Sequence, residues 1–346
     1  MKLTLEQIRS ITKGAQNVRL EDDGKYHFYR FSDKQMEYYK ENSTDFYKKS
    51  FATASVHLDF YTNSPFFKFH YDVSSGSSRR FYYFDMYVDG NLVKHLGEDN
   101  MWIMKGDISL NIEKYALPER IKKSGYVSGN PDGMCRVTLW LPNLASAVLS
   151  EVETADGCEI VPVKSDMTIF AWGDSITHGY DAVFPSMSYV NRVARHYNAE
   201  VINMAIGGEK FVPGLLTDDI NGTPDMITVA YGTNDWSGSL RETFDTNSVK
   251  FYAGASELYP DAKRFALLPI WRADDNRVPK NYGGTFGEAS EYIRNVAKEN
   301  GFIPLDAWFY VPHSPEFYSD KYLHPNDLGF ADYARGLIAD IEKYIK

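Results

Sequence analysis

The spacing of hydrophobic residues changes character near residue 165, and that change sets what the chain can fold into. Before it, Val56, Leu58 and Phe60 alternate with polar neighbours. So do Phe67, Phe69, Tyr71 and Val73, then Phe84, Met86 and Val88, and later Val137, Leu139 and Leu141. Period-two alternation sends one face of a strand into a core and the other toward solvent. Asp89-Gly90-Asn91 has hairpin-turn chemistry, and Pro142 stops the last of these strands. A β-sandwich accessory domain, jelly-roll-like, is expected over residues 1–165.

After Val163 short apolar runs alternate with helical patterns. Met167 to Trp172, Val201 to Ala205, Met226 to Tyr231, Phe265 to Ile270 and Phe302 to Leu305 read as strands. Helices are expected through Tyr189 to Tyr197, around Val249 to Leu258, from Glu288 to Glu299, and at the C-terminus on Phe330, Ala334, Leu337, Ile338, Ile341 and Ile345. Strands alternating with helices imply an α/β domain over 166–346, a parallel sheet covered on both faces. In such sheets function gathers beyond the carboxyl ends of the strands. With 346 residues the chain is long enough for two cores.

Composition removes several classes of function. The net charge is −10 with no lysine- or arginine-rich block, which argues against nucleic acid or an anionic membrane as partner. No apolar run is long enough to span a bilayer. The N-terminus lacks the apolar stretch of a secretory signal, so a cytoplasmic location is expected; a secreted chain trimmed of its leader would read the same way. Cys135 and Cys158 are too few for a disulfide framework and are read as thiols, with a single bridge left open. No H-E-x-x-H or His/Cys cluster is present, and neither metal nor cofactor is expected. Aromatic residues reach 15%, a load that a β-rich core absorbs as readily as a sugar-binding surface uses it.

Four stretches carry chemistry, each at a strand end or before a helix. Gly173-Asp174-Ser175-Ile176-Thr177 follows the first strand of the second half. Asn203-Met204-Ala205-Ile206-Gly207-Gly208 runs off the second, and Tyr231-Gly232-Thr233-Asn234-Asp235 off the third. Leu323-His324-Pro325-Asn326 precedes the last helix. Singly each has a bland reading: Asp174 and Ser175 as helix caps, Gly208 as a strand end, Asn234 as a cap, His324 as a loop histidine. Their joint occurrence in this order resembles the SGNH, or GDSL-type, hydrolase superfamily, and the likeness covers the C-terminal half. It implies a three-layer, flavodoxin-like α/β/α fold.

The resemblance also assigns roles. Ser175 becomes the nucleophile of an acyl-enzyme mechanism, and His324 the base that takes and returns its proton. The backbone N–H of Ser175, that of Gly208 and the side-chain amide of Asn234 form the oxyanion hole. Gly208 fits the pattern better than Gly207 because it lies five residues after Asn203. The family usually places an aspartate three residues before the histidine, where this chain has Lys321; Asp320 lies four before. Asp320 orients His324 if the loop carries one extra residue; otherwise a backbone carbonyl does so. Asp174 and Asp235 are expected to tie loop amides rather than to act as a glycosidase pair.

The β-sandwich joined to such a domain resembles two-domain carbohydrate esterases that remove acetyl groups, a likeness resting on architecture and on Leu139-Trp140-Leu141-Pro142-Asn143. It implies an O-acyl ester of a small sugar or oligosaccharide as substrate. Trp236, Trp271 and Tyr180, with Asp181, are the candidate substrate walls; loop packing is the competing reading. A lipase or acyl-thioesterase on the same scaffold, and a carbohydrate-binding protein with a vestigial site, are the rival functions. Oligomeric state is left open.

Overall fold

The computed structural model describes residues 1–124 and 130–345. They form two compact units. The first comprises Met1–Arg30, Phe51–Lys164 and Phe184–Ser186, and the second Phe31–Ser50, Ser165–Val183 and Met187–Lys346.

The first unit is two antiparallel sheets enclosing one apolar core. One sheet runs Thr12–Lys13, His57–Thr62, Cys135–Trp140, Tyr82–Val88, Asn91–Glu98, with Ile160–Pro162 also paired to His57–Thr62. The other runs Asn17–Leu20, Tyr26–Tyr29, Ala145–Thr154, Phe66–Ser75, Lys105–Asn111. Alternating residues meet between them: the rings of Phe60 and Phe67, from opposite sheets, lie 5.2 Å apart. The Asp89-Gly90 turn closes a hairpin in which Val88 pairs with Asn91, and both turn residues have positive φ, as a tight two-residue hairpin loop requires.

Alternation fails in Tyr82–Val88, where Asp85 and Tyr87 are buried, and in His57–Thr62. His57 and Asp59, expected to face solvent, are buried. Asp59 is neutralised by Arg136, whose Nε and Nη2 lie 2.9 and 2.6 Å from its oxygens. His57 stacks on Trp140 at 3.9 Å and uses Nδ1 to donate to the Ser55 carbonyl. Burial pushes the His57 pKa down to about 4. The unfolded histidine therefore binds a proton between pH 6.5 and 4 that the native one refuses, and stability must fall as pH falls through that window. The difference corresponds to about 3 kcal/mol, fully lost below pH 4. Unfolding free energies measured from pH 7.5 to 4 should show this slope, and His57→Gln should flatten it. An unchanged slope in the variant would assign the acid sensitivity elsewhere.

The second unit is a parallel five-stranded sheet ordered Ala199–Ala205, Met167–Gly173, Met226–Ala230, Lys263–Leu267, Ile303–Leu305. In chain order within the unit this is 2-1-3-4-5, the flavodoxin-like arrangement, with its switch point beside the first strand. Gly173 is level with Ala205 on one side and with Ala230 on the other. Three strands thus end together, and the loops beginning at residues 174, 206 and 231 leave the sheet side by side. Helices Tyr189–His196, Arg241–Leu258, Phe286–Glu299 and Asp327–Ile341 connect or follow the strands. None of the described helices is long and apolar enough to cross a membrane.

The division expected at residue 165 differs from the structure in two places. Helices Asp33–Asn42 and Thr44–Ser50, expected to lie in a strand-rich half, belong to the second unit. A capping box of Ser32 and Gln35 starts the first of them. Gln35 Nε2 then donates to the Leu215 carbonyl at 2.7 Å, and the buried Tyr39 reaches Glu209. Residues 184–186 go to the first unit, where the Ser186 N–H donates to Asp85. Cys135 and Cys158 are unbridged.

Candidate active site

Gly173 ends the first strand because nothing larger fits: a Cβ there would lie 2.2 Å from Thr177 Oγ1 and 3.2 Å from the Ala230 carbonyl. The chain turns at once into the short helix Ser175–His178. Asp174 is its N-cap, its carboxylate accepting the Ile176 N–H at 3.0 Å. Ser175 is therefore the first helical residue, set at the switch point and 6% exposed.

His324 reaches Ser175 from the loop before the last helix. Its Nε2 lies 2.8 Å from Ser175 Oγ, and its Nδ1 lies 2.6 Å from Asp320 Oδ2. The other Asp320 oxygen accepts three backbone N–H groups, from Tyr322 at 3.1 Å, Leu323 at 2.8 Å and His324 at 3.0 Å. These contacts answer the spacing question. The extra residue is Lys321, whose φ of +67° folds the longer loop back so that a carboxylate four residues upstream meets the imidazole. Partial burial works to raise the Asp320 pKa. The hydrogen bond to His324 and the amides of Leu323, Tyr322 and His324 outweigh it and hold the carboxyl well below the ordinary range. Asp320 is thus an anion at neutral pH.

A second carboxylate lies nearby. Asp181, buried and with φ +69°, places Oδ2 4.0 Å from His324 Nδ1. Asp181, Asp320 and His324 are close enough to share a cation, each offering an atom within 4.8 Å of the others. Nδ1 of His324 is already engaged by Asp320 at 2.6 Å.

The loop after the second strand is held against the Ser175 helix by direct bonds. Asn203 Nδ2 donates to the Thr177 carbonyl at 2.9 Å, and the Gly207 N–H to His178 Nδ1 at 3.2 Å. Gly208 then takes φ +93°, a left-handed conformation suited to glycine, and is exposed. Asn234, on helix Thr233–Gly238, spends one amide hydrogen on the Glu209 carbonyl at 3.0 Å and keeps the other. The Ser175 and Gly208 N–H groups have no protein acceptor among the described residues. Beneath this loop Asp174 and Asp235 are buried, and burial pushes their pKa values up to about 6 and about 7. They bond the Ile176 and Phe211 amides. Each holds its proton to higher pH than a free carboxyl, which limits negative charge beneath this loop.

The expected substrate walls fare unevenly. Trp236 is fully buried and donates Nε1–H to the Gly284 carbonyl at 3.1 Å, so it cannot stack on a substrate. It lies two residues after Asn234 on one helix, hence about 200° round the axis, and faces the core when Asn234 faces the loop. Tyr180 is buried as well. Its ring lies 5.8 Å from the His324 ring and packs on Gly207, where a Cβ would come within 2.3 Å of it. It supports the site from behind. Trp271 is half-buried and stacks on His313 at 4.6 Å, bracing the loop that carries Asp320 and His324. Residues of the 31–50 helices, which the motif reading missed, also touch the Gly207–Glu209 loop. The capping signal Ser32-x-x-Gln35 marked the first of those helices in the sequence.

Comparison with known proteins places these features. A family model described as the GDSL-like Lipase/Acylhydrolase family matches residues 171–331. No curated protein matches the sequence. Among solved structures, the salicylyl-acyltransferase SsfX3 from a tetracycline biosynthetic pathway is 22% identical with a TM-score of 0.77, covering 96% of this chain and 94% of that one. A family two carbohydrate esterase from Clostridium thermocellum, in complex with cellohexaose, is 16% identical with a TM-score of 0.60, covering 96% and 98%. One from Cellvibrio japonicus is 17% identical with a TM-score of 0.62, covering 96% and 95%. These likenesses show the shared fold across both units. The matched stretch, residues 171–331, contains all four sequence blocks and the serine–histidine–aspartate contact, and over it the chain is similar to the GDSL-like Lipase/Acylhydrolase family.

Proposed function

We propose that this protein is a carbohydrate O-acetyl esterase working through an acyl-enzyme on Ser175. The observation that carries the reading is the 2.8 Å contact between Ser175 Oγ and His324 Nε2, with Asp320 bonded to the other ring nitrogen. Asp320 accepts from Nδ1–H and so leaves Nε2 as the lone-pair nitrogen facing the hydroxyl. His324 takes the Ser175 proton as Oγ attacks the ester carbonyl. The tetrahedral oxyanion is met by the N–H groups of Ser175 and Gly208 and by the free amide hydrogen of Asn234. Collapse breaks the bond to the sugar oxygen, which leaves with the proton from His324. Water, deprotonated by the same imidazole, then releases acetate and restores Ser175.

The acetylated-sugar assignment draws on the architecture shared with carbohydrate esterases, one of them solved with cellohexaose bound. The intact contact network speaks against a vestigial site. Acetate release across a panel of acetylated mono- and oligosaccharides, alongside acetyl and octanoyl nitrophenyl esters, tests the substrate. Acetate should be released from at least one acetylated sugar, and the acetyl ester should turn over faster than the octanoyl. A strong preference for octanoyl, with no acetate from any sugar, would mark a lipase-type enzyme instead.

A further inference from the structure

The N–H of Gly208 belongs to the Gly207–Gly208 peptide, and the oxygen of that same peptide is engaged by a cation from outside the matched family region. Lys49, on helix Thr44–Ser50, donates from Nζ to the Gly207 carbonyl at 3.1 Å. We infer that Lys49 is a positioning residue of the oxyanion hole, fixing and polarising the peptide that supplies one of its donors. The inference rests on the reading of Ser175 as nucleophile.

The geometry follows from the planarity of the peptide group. In a trans peptide the carbonyl oxygen and the amide hydrogen point to opposite sides of one rigid plane. Drawing the oxygen toward Lys49 aims the Gly208 hydrogen the other way. Glycines on both sides of this peptide would let the plane rotate cheaply. It is pinned instead: the Gly207 N–H is held by His178, the Gly207 oxygen by Lys49 and the Glu209 oxygen by Asn234. The Glu209 carboxylate is buried between the hydroxyls of Tyr39, at 2.6 Å, and Tyr231, at 3.0 Å.

Lys49 is built for a fixed task rather than left on a solvated surface. Its side chain is only 14% exposed and is paired with Asp45 at 2.5 Å. Its ammonium also lies 5.4 Å from the centre of the Phe46 ring, an edge of which passes 3.8 Å from where a Cβ on Gly208 would stand. A charge-assisted bond to the carbonyl pulls electron density toward oxygen and makes the linked N–H a stronger donor. That gain is largest when the donor faces a full oxyanion, so it favours the transition state over the bound ester.

The test is Lys49→Met, read by kinetics and by binding of a trifluoromethyl ketone, which forms a tetrahedral adduct with the serine. Losing an oxyanion donor outright typically costs about 10²–10³ in rate, and a loosened donor should cost about tenfold. The expected result is kcat down about tenfold with KM nearly constant, and ketone affinity down by a similar factor. Affinity for acetate, a ground-state ligand, and the thermal midpoint should stay unchanged, and Lys49→Arg should restore most of the rate. Wild-type kcat and ketone affinity in Lys49→Met would overturn the inference, as would equal losses for acetate and ketone. Should Lys49→Met fail to fold, Lys49→Gln keeps a donor without the charge and must fall between the wild type and Asn234→Ala in ketone affinity; a wild-type value refutes the inference. Fluorophosphonate labelling of the wild type separates the two claims. Absence of Ser175 labelling defeats the nucleophile reading, whereas labelling with an indifferent Lys49 variant defeats this inference alone.

Discussion

Ser175→Ala is expected to lower turnover of every ester substrate by about 10⁵–10⁶-fold, the scale on which a serine triad loses its chemistry with its nucleophile. The hydroxyl is the only atom removed, and its recorded partner is His324 Nε2 at 2.8 Å. Among the described residues no backbone group bonds to it. The fold is set by Gly173, the Asp174 cap and the sheet register, all of which survive, so the thermal midpoint should move by a few degrees at most. Steady-state hydrolysis of nitrophenyl acetate, measured beside thermal unfolding, checks both halves. A folded variant within about tenfold of wild-type turnover would transfer the nucleophile's role to another group.

Asp320→Asn should be nearly as damaging, about 10³–10⁴-fold in kcat, although it changes one atom. The reason lies in the three N–H groups that converge on Oδ1, from Tyr322, Leu323 and His324. An asparagine must offer them its carbonyl oxygen, which forces its NH₂ into the position of Oδ2, facing His324 Nδ1. Two donors cannot face each other there, so the ring shifts its proton to Nε2. The nitrogen beside Ser175 then carries hydrogen and has no lone pair for the serine proton. Asp320→Ala removes the anchor but imposes no wrong tautomer. The isosteric asparagine should therefore be at least as slow as the alanine at neutral pH. Comparison of the two variants by kcat decides it, and an asparagine variant tenfold faster than the alanine would contradict this account. Asp181, 4.0 Å from Nδ1, is placed to soften the loss in Asp320→Ala.

The sequence made the second unit legible because parallel strands buried on both faces leave short continuous apolar runs. The candidate site residues sit where the runs stop. Ser175, His324, Gly208 and Asn234 could be proposed from local blocks alone, since each block is fixed by its own turn or cap. Asp320 was legible only as one of two options. Its position depends on the backbone of Lys321, and a left-handed residue other than glycine leaves no compositional mark. Trp236 misled for the opposite reason. It lies two residues from Asn234 in sequence, but helical geometry turns it away in space. The 31–50 helices lay among strands, and only a capping box announced the first of them. That they supply Tyr39 and Lys49 to a loop more than 150 residues later depends on tertiary packing, which no local pattern encodes.

The most direct test of the central claim is mass spectrometry of the protein after reaction with a fluorophosphonate, followed by peptide mapping. One adduct per chain is expected, located on Ser175 and absent in both Ser175→Ala and the native protein denatured before exposure. A folded protein that takes up no label, or carries it on another residue, would contradict the account.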